Sequence, residues 1–188
     1  MSTLVAELLE LARLDRTSSL DLTETDLAIV VRDAVADATA VEPDRLITAE
    51  APPRLIAVVD ERRIRQVLAN LLGNVRAHTP RTAPVAVRLG PVQAGVLIEV
   101  ADRGPGMSDD DAARAFDRFH RAAENGARDP EHPDAGQDGS TGGGSGLGLS
   151  IVQAIARAHG GQATLESWPG HGTRVRIWLP AEAAGAPV

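Results

Sequence analysis

Apolar residues recur along this chain at the spacing of amphipathic helices, most clearly over residues 61–78. There they fall three and four residues apart, so they share one face of a helix. Asp60 stands where an N-cap is expected, and Pro80 stands where the helix must end. The pattern predicts a long helix with one buried face, formed by Ile64, Val67, Leu68, Leu71, Leu72 and Val75.

Four other segments show helical spacing. Residues 2–15 carry a leucine stripe, and residues 26–41 form a second amphipathic pattern with Asp26 as its candidate N-cap. A short helix is predicted near residues 108–115, and a last one over residues 147–159. None of these segments approaches the ~18 consecutive apolar residues of a membrane span.

Short apolar runs bounded by Gly and Pro predict strands that come in pairs. Consecutive strands pair best antiparallel, and the intervening helices then cover one face of the sheet. We therefore expect an α+β fold, a two-layer α/β sandwich with a mixed, mostly antiparallel sheet and helices on one face. The predicted pairs are 45–50 with 54–59 as a hairpin, 84–89 with 95–101, and 162–167 with 173–179.

Composition removes several classes of function. The 188 residues include no Cys, so disulfides, thiolate metal sites and cysteine nucleophiles are excluded. A formal net charge of −7, with two Phe, two Trp and no Tyr, argues against nucleic acid as a partner. All 19 basic residues are Arg, so any role that lysine usually fills must fall to arginine or be absent. With neither a signal-peptide pattern nor a spanning segment, we expect a cytoplasmic chain without direct membrane contact.

The segment GSTGGGSGLGLSIV, residues 139–152, joins a glycine run to the last helical pattern. It follows a polar stretch, 120–146, that is longer than ordinary connections in compact domains. A glycine run of this kind is often a flexible linker. A glycine-rich loop that opens a helix can also cradle phosphates, because the first helical N–H groups are unpaired and the helix dipole favours an anion there. The segment alone leaves both interpretations open.

Two asparagines on the long predicted helix are candidates for a metal site. Asn70 and Asn74 lie four residues apart, so both side chains leave the same face of the helix. Each amide oxygen suits Mg²⁺, which keeps several waters and completes its shell with substrate phosphates. The alternative is a pair of amides on a partly buried helix edge.

The motif DRGPG, residues 102–106, ends an apolar strand. Asp102 can accept a hydrogen bond from an exocyclic amine, and Gly104 and Gly106 would let a flat ring approach the backbone. A turn capped by Asp102 is the alternative. Two further motifs, FDRF at 116–119 and GHGT at 170–173, are by themselves consistent with core packing and a tight turn.

Taken in order, these motifs resemble a known family. The segment RIRQVLANLLGNVRAHTP, then DRGPG, FDRF, GGGSGLGLSIV and GHGT, is similar to the nucleotide-binding boxes of the sensor histidine kinase catalytic and ATP-binding domain. The resemblance covers roughly residues 44–181. It implies the Bergerat-type sandwich that this superfamily shares with Hsp90, type II topoisomerase ATPase subunits and MutL, and it favours the phosphate cradle over the linker.

The resemblance also implies a role for each matching position. ATP and Mg²⁺ are the expected cofactors, with Mg²⁺ held by Asn74 and Asn70. Asp102 would bind the adenine amino group, and residues 107–145 would form an ATP lid. Catalytic roles are implied for Asn70, Asn74, Arg118 and Arg121. The implied cofactor-binding set is Asn70, Asn74, His78, Asp102, Gly104, Gly106, Gly144, Gly146, Leu147, Gly148 and Thr173.

The chain departs from the family pattern in one charged position. The family commonly has a lysine three residues after the second asparagine, where this chain has Ala77. Arg76 is adjacent but points about 100° away around the helix, so whether it supplies the missing charge stays open. His78 either packs near the nucleotide or contacts the negative end of the helix dipole.

Transfer rather than hydrolysis is the expected reaction. Hydrolysing members of the superfamily carry a glutamate where Asn70 stands, and an amide cannot act as a general base. None of the five histidines has the sequence context of the family's phosphoacceptor. We therefore expect the acceptor histidine on a partner domain, in a longer protein or in a separate one, with a response regulator further along the pathway.

We expect residues 1–43 to contain the end of the dimerisation and phosphotransfer hairpin plus a connecting helix, residues 44–181 to be the ATP-binding domain, and residues 182–188 to be a tail. Without most of that hairpin, the chain is expected to be a monomer. The main hypothesis is the catalytic module of a two-component sensor histidine kinase. The alternative is a non-catalytic nucleotide-binding module, an ATP sensor or pseudokinase. A serine kinase of the anti-sigma-factor type is disfavoured by the leading helix.

Overall fold

The computed structural model describes residues 20–120 and 146–181. The predicted helix over 2–15 lies outside these residues. Within them the order of elements matches the predicted alternation of strands and helices, with one additional strand at the start. The elements are β1 (Thr23–Asp26), α1 (Leu27–Val41), β2 (Ile47–Glu50), β3 (Ile56–Val59), α2 (Glu61–His78), β4 (Val85–Val92), β5 (Gly95–Asp102), α3 (Asp109–Ala113), α4 (Gly148–Ala158), β6 (Gln162–Trp168) and β7 (Gly172–Pro180).

The main sheet has five strands in the order β2-β4-β5-β7-β6. The pairs β4–β5, β5–β7 and β7–β6 are antiparallel, whereas β2 runs parallel to β4. Helices α1, α2 and α4 pack on the face of the sheet that carries the core. The predicted two-layer α/β sandwich is confirmed. Its buried core includes Leu27, Leu68, Leu71, Ile98, Leu147, Ile155 and Ile177.

The predicted hairpin between residues 45–50 and 54–59 is wrong. Both runs form strands, but β2 pairs with β4, and β3 pairs antiparallel with β1 in a separate two-stranded sheet. The intervening Ala-Pro-Pro segment offers only one N–H over three residues, which disfavours a tight hairpin. The partner of β3 was hidden because β1 has the sequence TETD, without an apolar residue to reveal a strand.

Both predicted N-caps are confirmed. The Asp26 side chain accepts hydrogen bonds from the backbone N–H of Ala28 at the start of α1 and of Leu55, each at 3.1 Å. Asp60 accepts from the Arg63 N–H at 3.1 Å at the start of α2. Each cap pairs an N–H that the helix leaves without a partner, and such caps typically contribute about 1 kcal/mol.

The opposite face of the sheet carries a line of ion pairs across all five strands. At its centre Glu99, 8 % exposed, lies 3.0 Å from Arg88 and 2.8 Å from Arg176. Arg88 also forms an ion pair with Glu50, and Arg176 forms one with Glu166, each at 2.8 Å. Opposite charges that face each other across strands favour this register over its neighbours.

His159 joins the end of α4 to the start of α2. Its Nδ1–H donates to the Ile155 carbonyl at 2.9 Å, and its Nε2 accepts from the Asp60 backbone N–H at 3.0 Å. This pair of bonds requires the neutral imidazole. Burial lowers the pKa of His159, and the positive Arg63 acts in the same direction, while the Ile155 carbonyl and Asp60 oppose it.

Acid is expected to weaken the fold through His159. Because its folded-state pKa lies below the usual value of about 6.5, the unfolded chain takes up the proton first as the pH falls. The contribution of His159 to the free energy of unfolding is fully present above about pH 6.5 and is lost as the pH falls towards the folded-state pKa. We expect Tm, measured by circular dichroism, to fall more steeply from about pH 7 to about pH 5 in the wild type than in His159→Gln, whose amide oxygen can accept the same bond. Equal slopes would contradict this assignment.

Candidate functional site

The two asparagines of α2 meet the first turn of α4. The Nδ2 of Asn70 donates to the Gly148 carbonyl at 3.4 Å. A Cβ added to Gly148 would lie 3.2 Å from the Oδ1 of Asn74, which is tighter than most Cβ contacts in folded proteins. Glycine therefore favours the close approach of α4 to α2. The three residues, up to 78 positions apart in sequence, form one polar corner.

The N-terminus of α4 opens at this corner. Leu147 occupies the N-cap position without a side-chain cap bond, and its own side chain is fully buried in the core. Gly146 precedes it with φ at +72°, a conformation that favours glycine. The unpaired N–H groups of a first helical turn, together with the helix dipole, favour an anion. The buried leucine thus anchors a helix end suited to phosphate.

Gly146 also contacts the segment after α3. Its carbonyl accepts a hydrogen bond from the Phe119 N–H at 3.1 Å. A Cβ on Gly146 would come within 3.0 Å of the Phe119 Cα. Phe119 has φ at +63° and a side chain that is 54 % exposed. The contact brings together the two chain segments on either side of residues 121–145.

At the other end of the site, Asp102 closes the turn after β5. Its Oδ1 accepts from the Gly104 N–H at 2.7 Å. Burial raises the pKa of this carboxyl, while the N–H groups of Gly104 and Thr173 and the charge of Arg45 oppose the rise. Asp102 is thus a half-buried acceptor whose ionisation depends on its surroundings.

The glycines around Asp102 bring three backbone segments together. A Cβ on Gly106, where φ is +67°, would overlap the Trp168 carbonyl, and one on Gly172, where φ is +93°, would overlap the Asp102 carbonyl. Gly104 faces the end of α2, where a Cβ would lie 2.5 Å from the Thr79 Cγ2. These close approaches fix the Asp102 turn against β6, β7 and the end of α2.

Ser167 is a site residue that the sequence did not reveal. Its Oγ accepts from the Met107 N–H at 2.8 Å and lies 2.8 Å from the Thr173 Oγ1. It is buried at the end of β6 and fixes Thr173 and the chain after Gly106 relative to each other. A single serine within an apolar-polar strand pattern carries no signal of this role.

The remaining predicted residues lie at the margins or beyond the described chain. His78 is the last residue of α2 and is exposed, one turn after Asn74. Arg118 is exposed next to Phe119. Arg121 and Gly144 lie outside the described residues. None of these placements tests their implied roles.

Arg76 lies away from this corner. It lines a groove of about 350 Å³ between α1 and α2, together with Ala69, Gly73 and Val41. This groove is on the side of α2 opposite to Asn74 and Gly148. Ala77 is exposed and carries no charge. Arg76 therefore does not supply a cation at the position where the family commonly has lysine.

Residues 20–120 and 146–181 hold no group of three or more His, Asp or Glu side chains placed to bind a metal ion. Within the same ranges no helix is both long and apolar enough to cross a bilayer. Any metal at the asparagine corner would accordingly depend on amide oxygens, water and a ligand's own phosphates.

Similar proteins include sensor histidine kinases. The chain is 37% identical over 180 residues to the probable sensor histidine kinase TcrY of Mycobacterium tuberculosis, covering 95% of this chain and 35% of the relative. It is 34% identical over 181 residues to the sensor-like histidine kinase SenX3 of Mycobacterium bovis, covering 95% of this chain and 41% of the relative. The chain thus spans little more than a third of the length of these curated relatives.

Solved structures agree with the sequence relatives. Full-length ShkA, crystallised in complex with AMPPNP, aligns with a TM-score of 0.76 at 28% identity over 99% of this chain and 37% of that one. The catalytic domain of histidine kinase ThkA has the same fold, with a TM-score of 0.68 at 21% identity over 87% of this chain and 98% of that one.

A family model decides the assignment, and it confirms the predicted resemblance. The model described as histidine kinase-, DNA gyrase B-, and HSP90-like ATPase matches residues 59–183, which include every part of the site described above. The chain therefore belongs to this ATPase family, and its similarities fall on the ATP-binding domain of sensor histidine kinases.

Proposed function

We propose that this domain binds ATP with Mg²⁺ and donates the γ-phosphoryl group to a histidine on an acceptor domain. One observation carries the proposal: Asn70 and Asn74 meet the open N-terminus of α4 at Gly148. Oxygen ligands and the N–H groups of a helix N-terminus thereby converge where a polyphosphate and its cation can bind together.

The Asp102 end suits the adenine ring. Its carboxylate can accept from an exocyclic amine while it also accepts from Gly104. Thr173 stands beside it, oriented by Ser167. The close packing at Gly104 and Gly106 fixes the turn that presents this carboxylate. We assign Asp102, Gly104, Gly106 and Thr173 to the nucleobase.

The asparagine corner suits the phosphates and Mg²⁺. The Asn70 Nδ2 donates to Gly148, so its amide oxygen is free to point elsewhere. Neutral amide oxygens are suitable ligands for Mg²⁺, which would neutralise charge on the transferring group. We assign the metal to Asn74 and Asn70, and the phosphates to Gly146, Leu147 and Gly148 through the backbone.

The two side chains that define this corner, Asn70 and Asn74, are amides and cannot act as a general base. The nucleophile is the ring nitrogen of the acceptor histidine. A nitrogen–phosphorus bond forms as the bond between the γ-phosphorus and the bridging oxygen breaks, and ADP leaves. Positioning and charge neutralisation then account for catalysis. Arg118 and Arg121 are proposed to reach the phosphates, and His78 and Gly144 to contact the nucleotide.

The acceptor domain belongs to a longer protein or to a separate one, and a response regulator receives the phosphoryl group from it. Because the reaction uses ATP, we place the domain in the cytoplasm. Residues 44–181 are proposed as the ATP-binding unit, whose core α1 completes. The unit is proposed to follow the end of a phosphotransfer hairpin and to be monomeric by itself. The names of the relatives favour this activity over a nucleotide sensor.

Asn74→Ala is expected to weaken Mg²⁺-dependent ATP binding about tenfold or more, because it removes an oxygen ligand from a charged group. Isothermal titration calorimetry with and without Mg²⁺ measures this. Arg76→Ala is the matched control on the same helix and should bind as the wild type does. Equal affinity of the wild type and Asn74→Ala would refute the metal assignment.

ATP affinity is expected to fall as the pH decreases through the pKa of Asp102, which lies above the usual aspartate value of about 3.9. The pKa of Asp102 is raised, so its carboxylate takes up a proton at a higher pH than an ordinary aspartate and then accepts less well. Asp102→Asn should bind more weakly at about pH 7 and show a flatter profile, because only the titration of ATP itself remains. The assignment fails if the two profiles are parallel.

Ala77→Lys tests the consequence of the missing charge. An ammonium on the Asn74 side of α2 should raise ATP affinity severalfold by pairing with phosphate. Competition with a fluorescent nucleotide, with Ala77→Gln as the neutral control, measures the gain. No gain over Ala77→Gln would mean that position 77 does not face the phosphates.

A further inference from the structure

Arg45 is a buried cation outside the motifs that define the site. Its residue exposure is only 3 %. The Nε lies 2.9 Å from the Glu42 Oε2, which gives the charge one acidic partner. A buried charge is costly unless it is paired and hydrogen-bonded, and a well-packed apolar side chain is often as stabilising. The location of this buried charge therefore points to a role beyond packing alone.

The other end of the guanidinium holds the last turn of α2. Its Nη1 donates to the Thr79 Oγ1 at 2.6 Å, and its Nη2 donates to the Thr79 carbonyl at 3.1 Å. The Thr79 hydroxyl in turn donates to the Val75 carbonyl at 2.7 Å. The fork of Arg45 thereby fixes both the side chain and the backbone of the residue that caps α2.

Thr79 lies directly against the turn that carries Asp102. Its Cγ2 occupies the space where a Cβ on Gly104 would stand, at 2.5 Å. The same absent Cβ would lie 2.8 Å from the Asp102 Oδ1, and the Gly104 N–H donates to that oxygen. The contacts run without a gap from Arg45 through Thr79 to Gly104 and Asp102. The charge of Arg45 also acts on Asp102.

We propose that Arg45 is a positioning residue for the nucleobase end of the site, which it orders by fixing Thr79 against the Gly104 turn. This inference rests on the proposed function, because it concerns how the same site selects its base. The phosphate end is held differently, by the middle of α2 and the start of α4 at Gly148. Loss of Arg45 should therefore impair recognition of the base more than recognition of the phosphates.

The test is the ratio of GDP to ADP dissociation constants, measured by calorimetry at a temperature at which each variant is folded by circular dichroism. Arg45→Met should lower the ratio about fivefold or more by weakening ADP binding, and Arg45→Lys, which keeps one donor, should lower it less. Arg88→Met is the matched control: Arg88 has two acidic partners on the other face of the sheet, and its loss should leave the ratio unchanged.

An unchanged ratio in folded Arg45→Met would overturn the proposal and leave Arg45 a purely stabilising residue. If Arg45→Met does not fold, Thr79→Val is the second test. This variant keeps the methyl group against Gly104 but removes the oxygen that Arg45 binds. Its ratio of GDP to ADP dissociation constants should therefore also fall. Failure of the proposed function looks different, because the wild type would then bind neither nucleotide.

Discussion

The approach of α4 to α2 at Gly148 is the contact on which the whole site depends. A Cβ at position 148 would press on the Asn74 amide, so glycine favours the approach of Asn70 and Asn74 to the first turn of α4. The helix is held there by Leu147, which is fully buried just before its first turn. A helix N-terminus that is fixed by the core and opens beside two amides is suited to polyphosphate before any ligand arrives.

The second constraint is that α2 orders both ends of the site. Its middle carries the asparagines, and its last turn at Thr79 supports the Gly104 turn and therefore Asp102. Arg45 and His159 fix the end and the start of this helix by hydrogen bonds from other elements. A rigid helix thus sets the separation between the two ends, as positioning catalysis requires.

Sequence reasoning recovered the parts of this arrangement that are local. The caps Asp26 and Asp60 follow from side-chain hydrogen bonds within one turn of a helix, and the glycine motifs follow from backbone that must come close. The pairing of β2 with β4 and of β3 with β1 depends on contacts distant in sequence, and β1 has no apolar pattern. Arg45 and Ser167 went unrecognised for the same reason, since their partners lie on other elements. The side of α2 on which Arg76 lies follows only from the packing of α1 on α2.

Phosphoryl transfer to histidine is best measured with the acceptor supplied separately. The domain is incubated with γ-labelled ATP, Mg²⁺ and the dimerisation and phosphotransfer domain of a sensor histidine kinase relative. We expect an acid-labile, alkali-stable label on the acceptor that disappears when its phosphoacceptor histidine is replaced by alanine. Saturating ATP binding without any label on the intact acceptor would rule out phosphoryl transfer and leave a nucleotide-binding module.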